Sequence, residues 1–421
     1  MDAIVVGGGI AGSTMALSLH QAGVNVRVYE AVRELAPLGV GINLQPTAVR
    51  ELVELGIGNE LANAGNDTQF LSYFNKLGQR IYTETRGIDA GYNWPQYSIH
   101  RGKLQTLLLG SVRDRIGYQN VRNGLRFISF EQNAKKVAAT FLDTETGATL
   151  VDNADILIGA DGIHSAVRRR IHPSEGEPKF AGQVLWRAAV ETDAFLGGHT
   201  MIIAGHFHQR VIVYPIGCTD APNLLLTNWI CQTTVPDASL VREDWNRTVP
   251  KEKVLKSFGT WRFSWLDIPA LIQQTPEIFE FPLVDRDPVG TWTTGRVTLI
   301  GDAAHPMHPI GSQAGTQAIV DARLLTQLLV STPNPLDALQ HYDLQRRPAM
   351  NDIILRNRRF GPELAMQLVE ERAPNGFHRI EDVISNEELE ATTKSYSTAA
   401  GLDIETVNHR PSFVTDHPKV N

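Results

Sequence analysis

The sequence predicts an α/β protein: a Rossmann-type nucleotide-binding domain, a second domain built on its own β-sheet, and helices toward the C-terminus. Three observations carry that prediction. A glycine-rich turn, Gly7-Gly8-Gly9-Ile10-Ala11-Gly12, joins the apolar run Ala3-Ile4-Val5-Val6 to a helix-like stretch from Ala16 to Ala22. The segment from about Gln183 to Pro282 is dense in β-branched and aromatic residues broken by Pro, Gly and Asn, which is the texture of a sheet. Buried-strand character then returns at Val297-Thr298-Leu299-Ile300 and runs into Gly301-Asp302-Ala303-Ala304-His305, where the chain re-enters its first domain.

Each element has its reason. Gly7 permits the tight turn, Gly9 lets backbone approach a pyrophosphate, and Gly12 lets the helix pack on the strand, with the helix N-terminus aimed at the anion. The next apolar run, Val24 to Tyr29, ends at Glu30, where an acidic side chain accepts hydrogen bonds from an adenosine ribose. The first thirty residues therefore read as one βαβ unit holding a dinucleotide. Leu38-Gly39-Val40-Gly41-Ile42-Asn43 combines glycine flexibility with extended character, and Thr47 to Leu55 spaces its apolar residues as a helix face closed by Leu55-Gly56-Ile57-Gly58. Lys103 to Val112 reads as a helix. Val137 to Phe141 and Ile156-Leu157-Ile158 read as strands, the latter opening into Gly159-Ala160-Asp161-Gly162. Val211 to Tyr214 and Leu224 to Leu226 are strands of the second domain, and a glycine-containing helix entrance spans Gly311 to Asp321. Leu355 to Ala400 is charged and helical in pattern, and Glu405 to Asn421 is a polar tail with two prolines, expected to be mobile.

Composition narrows the function classes. With 421 residues, 42% hydrophobic and 20% charged, the chain has room for two or more domains. A net charge of -7 gives no electrostatic footprint for nucleic acid or an anionic membrane, and the one basic run, Arg168-Arg169-Arg170, reads as a solvated helix face or local salt bridging. Two cysteines, Cys218 and Cys231, support neither a disulfide framework nor a thiolate metal site. Met1-Asp2-Ala3 lacks a basic leader, and no apolar run approaches the roughly 18 residues of a membrane span, so a soluble cytoplasmic protein without a metal is expected.

The cofactor is narrowed by a count of strand ends. A single G-x-G-x-x-G follows a strand, and a nicotinamide dehydrogenase needs no further signal, yet Ala160-Asp161-Gly162 and Gly301-Asp302-Ala303 look like turns that reach further parts of a long cofactor. These three fingerprints, in this order and spacing, resemble the single-component FAD-dependent aromatic hydroxylases of the para-hydroxybenzoate hydroxylase fold. Leu38 to Asn43, Tyr97-Ser98-Ile99-His100-Arg101-Gly102, Gly162 to Arg168, and Val284-Asp285-Arg286-Asp287-Pro288 are most similar to the phenazine hydroxylase and salicylate hydroxylase-like branch. The resemblance spans nearly the whole chain. It implies a Rossmann-type FAD-binding domain of the glutathione-reductase-2 kind over 1–72, 101–182 and 283–355, a substrate domain over 73–100 and 183–282, and C-terminal helices and tail over 356–421.

The resemblance also assigns residues. Gly7, Gly9, Ile10, Ala11, Gly12, Glu30 and Ala31 would take the adenosine-diphosphate end of FAD, with Arg101 at the ribose and pyrophosphate. Asp302, after Gly301, would hold the ribityl chain, where a fixed carboxylate accepts hydroxyl hydrogen bonds, and Asp161 sits in the turn associated with FAD and nicotinamide. Gly41 and Ile42 would lie near the isoalloxazine, and backbone from Gly311 to Gly315 would donate from a helix N-terminus to its electron-rich end. There the chain departs from the family pattern: Ala314 stands where a glycine is usual, and Gly315 has moved one step on. If position 314 needs a positive φ, alanine is strained there. Trp186-Arg187 and Tyr214-Pro215 match family positions on the second sheet, and of these Trp186 and Tyr214, with Pro306, are the candidates for the substrate pocket.

The implied activity is hydroxylation of a small aromatic or heteroaromatic substrate with molecular oxygen, through a C4a-hydroperoxyflavin formed after transient NADH or NADPH reduces FAD. The protein's part is positioning and water exclusion. No side chain need be a nucleophile, so no catalytic residue is assigned. His305, His308, His206 and His208 are candidate bases, each more naturally a structural histidine, with His305 ordering the Gly-Asp turn. A monomer or homodimer is expected. The open alternatives are another FAD-dependent oxidoreductase, a reductase or halogenase, and a non-catalytic FAD-binding protein; the Trp-x-Trp-x-Ile-Pro stretch of halogenases is not matched by Trp261 to Trp265.

Overall fold

The computed structural model describes residues 1–34, 40–221, 223–235 and 247–414. Leu38 and Gly39 of the predicted glycine segment, and residues 415–421 of the predicted tail, lie outside the described residues.

A five-stranded sheet forms the first layer, in the order Val297–Leu299, Ile156–Gly159, Asp2–Val6, Asn25–Glu30, Val121–Asn123. Every neighbouring pair is parallel, with Val5 opposite both Ile158 and Val28. A parallel sheet is covered on both faces, which is why its strands read as unbroken apolar runs: Ala3, Ile4 and Val5 have no exposed surface. The helices Ile10–Gln21, Arg101–Ile116 and Ala314–Ser331 pack together beside it, and an antiparallel sheet of Leu125–Gln132, Val137–Asp143 and Thr149–Ala154 adds the ring of Phe141, stacked on Tyr29 at 3.9 Å.

The second layer is an eight-stranded sheet. Its order is Thr248–Val249, Ile278–Asp285, Lys179–Asp193, Leu224–Thr234, Gln209–Cys218, Thr200–His206, Phe70–Phe74, Arg80–Thr85. Strand alternation divides its residues between two cores. Trp186, Val211, Val213 and Trp229 pack under the helices Lys251–Phe258 and Ile268–Gln274, whereas Leu185, Ile212, Tyr214 and Ile230 face the other way. A small sheet of Gly41–Leu44, Tyr97–His100 and Gly65–Asp67 links the layers. Gly41 makes that link close: a Cβ there would lie 2.7 Å from the Tyr214 ring and 2.9 Å from Asn228 Cβ.

The C-terminal helices Pro335–Asn357, Leu364–Arg372, Asn386–Ala399 and Ile404–His409 wrap back over both layers. Residues 405–414, the described part of the polar stretch that the sequence marks as a mobile tail, are anchored. The Arg50 guanidinium donates to the carbonyls of Val407 at 2.6 Å and Arg410 at 2.7 Å, while Glu51 pairs with Arg410 and with Arg323, the last at 3.0 Å. Glu51 and Arg323 are both fully buried, so this ion pair is sealed between the nucleotide-binding layer and the C-terminal segment. Among the described residues, no helix is long and apolar enough to cross a membrane.

Candidate active site

Three neighbouring parallel strands, ending at Val6, Gly159 and Leu299, deliver their turns to the same end of the sheet, which is where open α/β sheets bind ligands. The eight-stranded sheet closes over those turns and leaves a cavity of about 370 Å³ between the layers.

The first turn supplies an anion cradle. Gly7 adopts φ +106°, and a Cβ on Gly12 would stand 1.9 Å from the Gly7 carbonyl oxygen, so the helix can start this close to the strand only with glycine. Gly9 caps the helix in extended conformation with no side-chain hydrogen bond, leaving the leading N–H groups free, and a Cβ there would meet open space. Gly9, Ile10 and Ala11 line the cavity. Glu30 stands behind the turn: one carboxylate oxygen accepts from Gly8 N–H at 2.7 Å and the other from Val32 N–H at 2.9 Å. Neither Glu30 nor the exposed Ala31 is among the lining residues.

At the second strand end, Ala160, Gly162 and Ile163 reach the cavity, while the Asp161 side chain turns away. Its carboxylate accepts from Ser165 hydroxyl at 2.5 Å and Ala166 N–H at 2.7 Å, starting the helix Ala166–Ile171, and burial raises its pKa despite those bonds. Asp161 thus supports its turn. Arg168 of the basic run is a brace rather than a solvated residue, pairing with Glu175 at 2.7 Å and donating to the carbonyls of Ala303 and Ala304 at 3.1 and 2.6 Å. The Val284 to Pro288 motif braces the same region, with Arg286 donating to Ile163 carbonyl at 2.7 Å and Asp285 paired with Arg358 at 2.7 Å.

The third strand end carries Gly301 and the cavity-lining Asp302 and Pro306. A fully buried carboxylate, Asp321, organises it, accepting from Gly301 N–H at 3.0 Å, His305 Nε2 at 2.5 Å and Arg346 Nε at 2.8 Å. Burial pushes the Asp321 pKa up, but His305, Arg346 and the Gly301 amide outweigh it and hold the carboxyl below the usual range. His305 therefore orders the Gly-Asp turn. His308 contacts Asp285 at 3.4 Å, and neither it nor His206 nor His208 lines the cavity. Replacing Asp321 by Asn should destabilise the fold by about 3–5 kcal/mol, because Arg346 loses its buried counter-charge. The native pKa is depressed, so this stabilisation is present above about pH 4, the unfolded titration, and is lost as pH falls below it. Urea unfolding of both proteins from pH 7 to pH 3 checks the magnitude and the sign: the gap between them should shrink on acidification.

The loop before the helix Ala314–Ser331 departs from the sequence expectation in an informative way. Left-handed backbone falls on Gly311, φ +69°, and Ser312, φ +55°, whereas Ala314 is the first residue of the helix. Alanine at 314 is unstrained, and the strain sits two residues earlier, on Ser312. Gly315 gives room to Ile42, whose Cδ1 lies 2.7 Å from where a Cβ would stand. Gly41, Ile42 and Gly311 to Gly315 all line the cavity, as does Arg101.

The sheet provides the remaining wall. Tyr214 faces the cavity, but Trp186 does not: its indole is on the opposite face, donating to Glu280 at 2.8 Å. Its neighbour Arg187 takes the cavity position, because successive strand residues point to opposite faces. Both faces of this strand are covered, so no polar alternation marked the parity. Arg187 donates to Gly41 carbonyl at 3.0 Å beside the Tyr214 hydroxyl, and burial lowers its pKa. Its Nε is sealed from solvent with no partner, and among the described residues no carboxylate pairs with it. Arg210, by contrast, is paired with Glu363 and donates twice to Gln232 at 3.0 and 3.1 Å.

These residues fit FAD. The open space above Gly9, the unpartnered Gln96 Oε1, and a cavity running from the first helix to the sheet are what an extended dinucleotide would fill. Comparison with known proteins gives the same answer. The protein-family model described as FAD binding domain matches residues 1–357. The chain is 43% identical over 364 residues to phenazine 1,6-dicarboxylic acid hydroxylase PhzS of Lysobacter antibioticus, covering 85% of this chain and 89% of that one. It is 31% identical over 367 residues to 3-amino-4-hydroxybenzoate 2-monooxygenase PtnB3 of Streptomyces platensis, covering 85% and 87%. Among solved structures, Klebsiella pneumoniae HpxO complexed with FAD and uric acid superposes with a TM-score of 0.74 at 24% identity, covering 97% of this chain and 96% of that one. A salicylate hydroxylase substrate complex gives 0.73 at 22%, covering 98% and 99%.

Proposed function

The chain belongs to the FAD binding domain family and is an FAD-dependent aromatic monooxygenase, and from that premise we propose that its substrate is a fused, planar heteroaromatic ring carrying an acidic group. The observation that supports this reading is the cavity wall at Arg187. A guanidinium without a carboxylate partner stands among Leu185, Ile212, Tyr214, Ile230 and Phe281, whereas Arg86 and Arg210, which line the same cavity, are paired with Glu84 and Glu363. Enclosed charges are matched by an opposite charge, and here the ligand would supply it. The first relative described above acts, by its name, on a phenazine dicarboxylic acid.

FAD, when bound, would supply the redox chemistry, hydride acceptance from NAD(P)H and activation of oxygen for transfer of one atom to the ring. The chain's residues position and enclose. We assign the pyrophosphate to the N–H groups after Gly9 together with Arg101, the adenosine ribose to Glu30 through its remaining lone pairs, the ribityl hydroxyls to Asp302, and the ring to the cleft between Ile42 and Gly311 to Gly315. Tyr214 and Pro306 would face the substrate, and the sheet would keep water from the reacting edge. The reading is of a soluble cytoplasmic enzyme, a monomer or homodimer, with NADH or NADPH as a visiting reductant.

The test is a substrate panel with the FAD-loaded enzyme. Phenazine carboxylates should stimulate NAD(P)H oxidation and gain one atom of labelled oxygen in the product, whereas their decarboxylated analogues should be poor. Equal turnover of neutral and acidic rings, or turnover of monocyclic benzoates alone, would overturn the proposal.

A further inference from the structure

Two consecutive left-handed residues, Gly311 and Ser312, present the loop to the cavity, and something must hold so unusual a turn. The part that does so comes from the C-terminal helix Asn386–Ala399. The Tyr396 ring is inserted between two glycine turns, each with positive φ: a Cβ on Gly311 would lie 2.5 Å from its hydroxyl oxygen, and one on Gly361 would lie 3.2 Å from its ring. Its hydroxyl stands 2.8 Å from Asn357 Oδ1 and 3.2 Å from the Ile310 carbonyl. Asn357 in turn donates its amide to the His308 carbonyl at 3.1 Å. The same helix reaches the following turn, where the Gln317 amide bonds both Ala400 carbonyl at 2.9 Å and Gln313 Oε1 at 3.0 Å, and Gln313 donates to the Gly311 carbonyl at 2.9 Å. The carbonyls of residues 308, 310 and 311 are thus all engaged around Tyr396, Asn357 and Gln313, while the leading N–H groups of the helix Ala314–Ser331 precede its first intrahelical bond, Gln317 N–H to Gln313 carbonyl.

We propose that Tyr396 is a positioning residue for the flavin: wedged between Gly311 and Gly361 and tied to Asn357, it fixes the turn that aims the helix amides at the flavin's electron-rich edge, so that the C-terminal segment sets cofactor geometry. The inference rests on the assignment of that edge to Gly311 to Gly315 given above. Burial keeps the phenol protonated, so it remains a donor through the physiological range.

The experiment compares Tyr396→Phe with Tyr92→Phe, which removes a part-buried hydroxyl tether to the C-terminal segment, to the Leu402 carbonyl at 2.5 Å, and touches neither Gly311 nor Asn357. In apoprotein, amide hydrogen exchange of the peptide spanning 308–316 should rise about 3–10-fold in Tyr396→Phe, the range one hydrogen bond carries, and stay unchanged in Tyr92→Phe. FAD should bind about 3–10-fold more weakly to Tyr396→Phe, and its midpoint potential should fall, with thermal stability close to the parent. Unchanged exchange and unchanged potential in Tyr396→Phe, or the same loosening in Tyr92→Phe, would overturn the inference. Exchange that rises at 308–316 without any shift in FAD affinity or potential would overturn the assignment of the flavin edge to this loop instead.

Discussion

Gly12→Ala should purify as apoprotein, with FAD affinity at least about 100-fold lower, because the added methyl cannot be placed without breaking the anion cradle. A Cβ at this position would stand 1.9 Å from Gly7 oxygen and 3.2 Å from Val5 Cγ1, and the first of these is backbone. The helix must slide away from the strand, taking its leading N–H groups with it. Overpacking of this kind also destabilises by roughly 1–3 kcal/mol. Gly9→Ala is the informative contrast. Its backbone is already extended at φ -72°, and nothing lies within 4 Å of the added methyl, so the apoprotein should stay within about 1 kcal/mol of the parent while FAD affinity falls, the methyl occupying room for the pyrophosphate. Titration of apoprotein with FAD, followed by flavin fluorescence, alongside urea unfolding separates the two effects.

Arg187→Met should separate stability from function in the opposite sense. The guanidinium is enclosed, lacks a carboxylate partner and has an unpartnered Nε, so removing it relieves a desolvated charge and should leave the apoprotein's melting temperature unchanged or raised. Turnover should fall by roughly 10²- to 10³-fold in kcat/KM for an acidic ring, the loss typical when one preorganised donor is removed from a charge-handling site. Lysine should not rescue it, since the contact to Gly41 carbonyl and the position beside Tyr214 use the planar fork. Steady-state kinetics and thermal unfolding of the two variants check this pair of opposing signs. A variant that lost stability and activity together would mark Arg187 as a structural residue.

What could be read from the sequence was local. The strand, glycine turn, helix and acid of the first thirty residues are adjacent in the chain, and each obeys its own steric rule, so the turn at Gly7 to Gly12 was legible in detail. The same holds for the turns at Gly162 and Gly301, whose φ values are +75° and +57°. What could not be read depends on distance or on parity. Trp186-Arg187 stands out as a pair, but which of the two faces the cavity is hidden because both faces of their strand are covered; it is Arg187. Asp321 lies 16 residues from His305, and Tyr396 lies 86 residues from Ile310, with no periodic pattern linking them. In the sequence the altered loop shows at Ala314 and Gly315, but its strained residue, Ser312, is marked only by its backbone angles. The polar sequence after Glu405 concealed an anchored helix, since its partners Arg50 and Glu51 belong to a helix near the start of the chain.

That anchoring has a bearing on how the protein is made. A chain emerging from the ribosome can form its first strand, helix and second strand early, since those contacts are local. Yet the wall of the cavity includes Tyr396, Ser397 and Leu402, and the buried Glu51, which pairs with Arg323, meets its second cation, Arg410, only after nearly the whole chain has been synthesised. Until then Glu51 has Arg323 as its cationic partner without Arg410, and the cavity lacks part of one side. The cavity wall is therefore complete only when the C-terminal segment has docked, however early the nucleotide-binding turn that begins the fold takes shape.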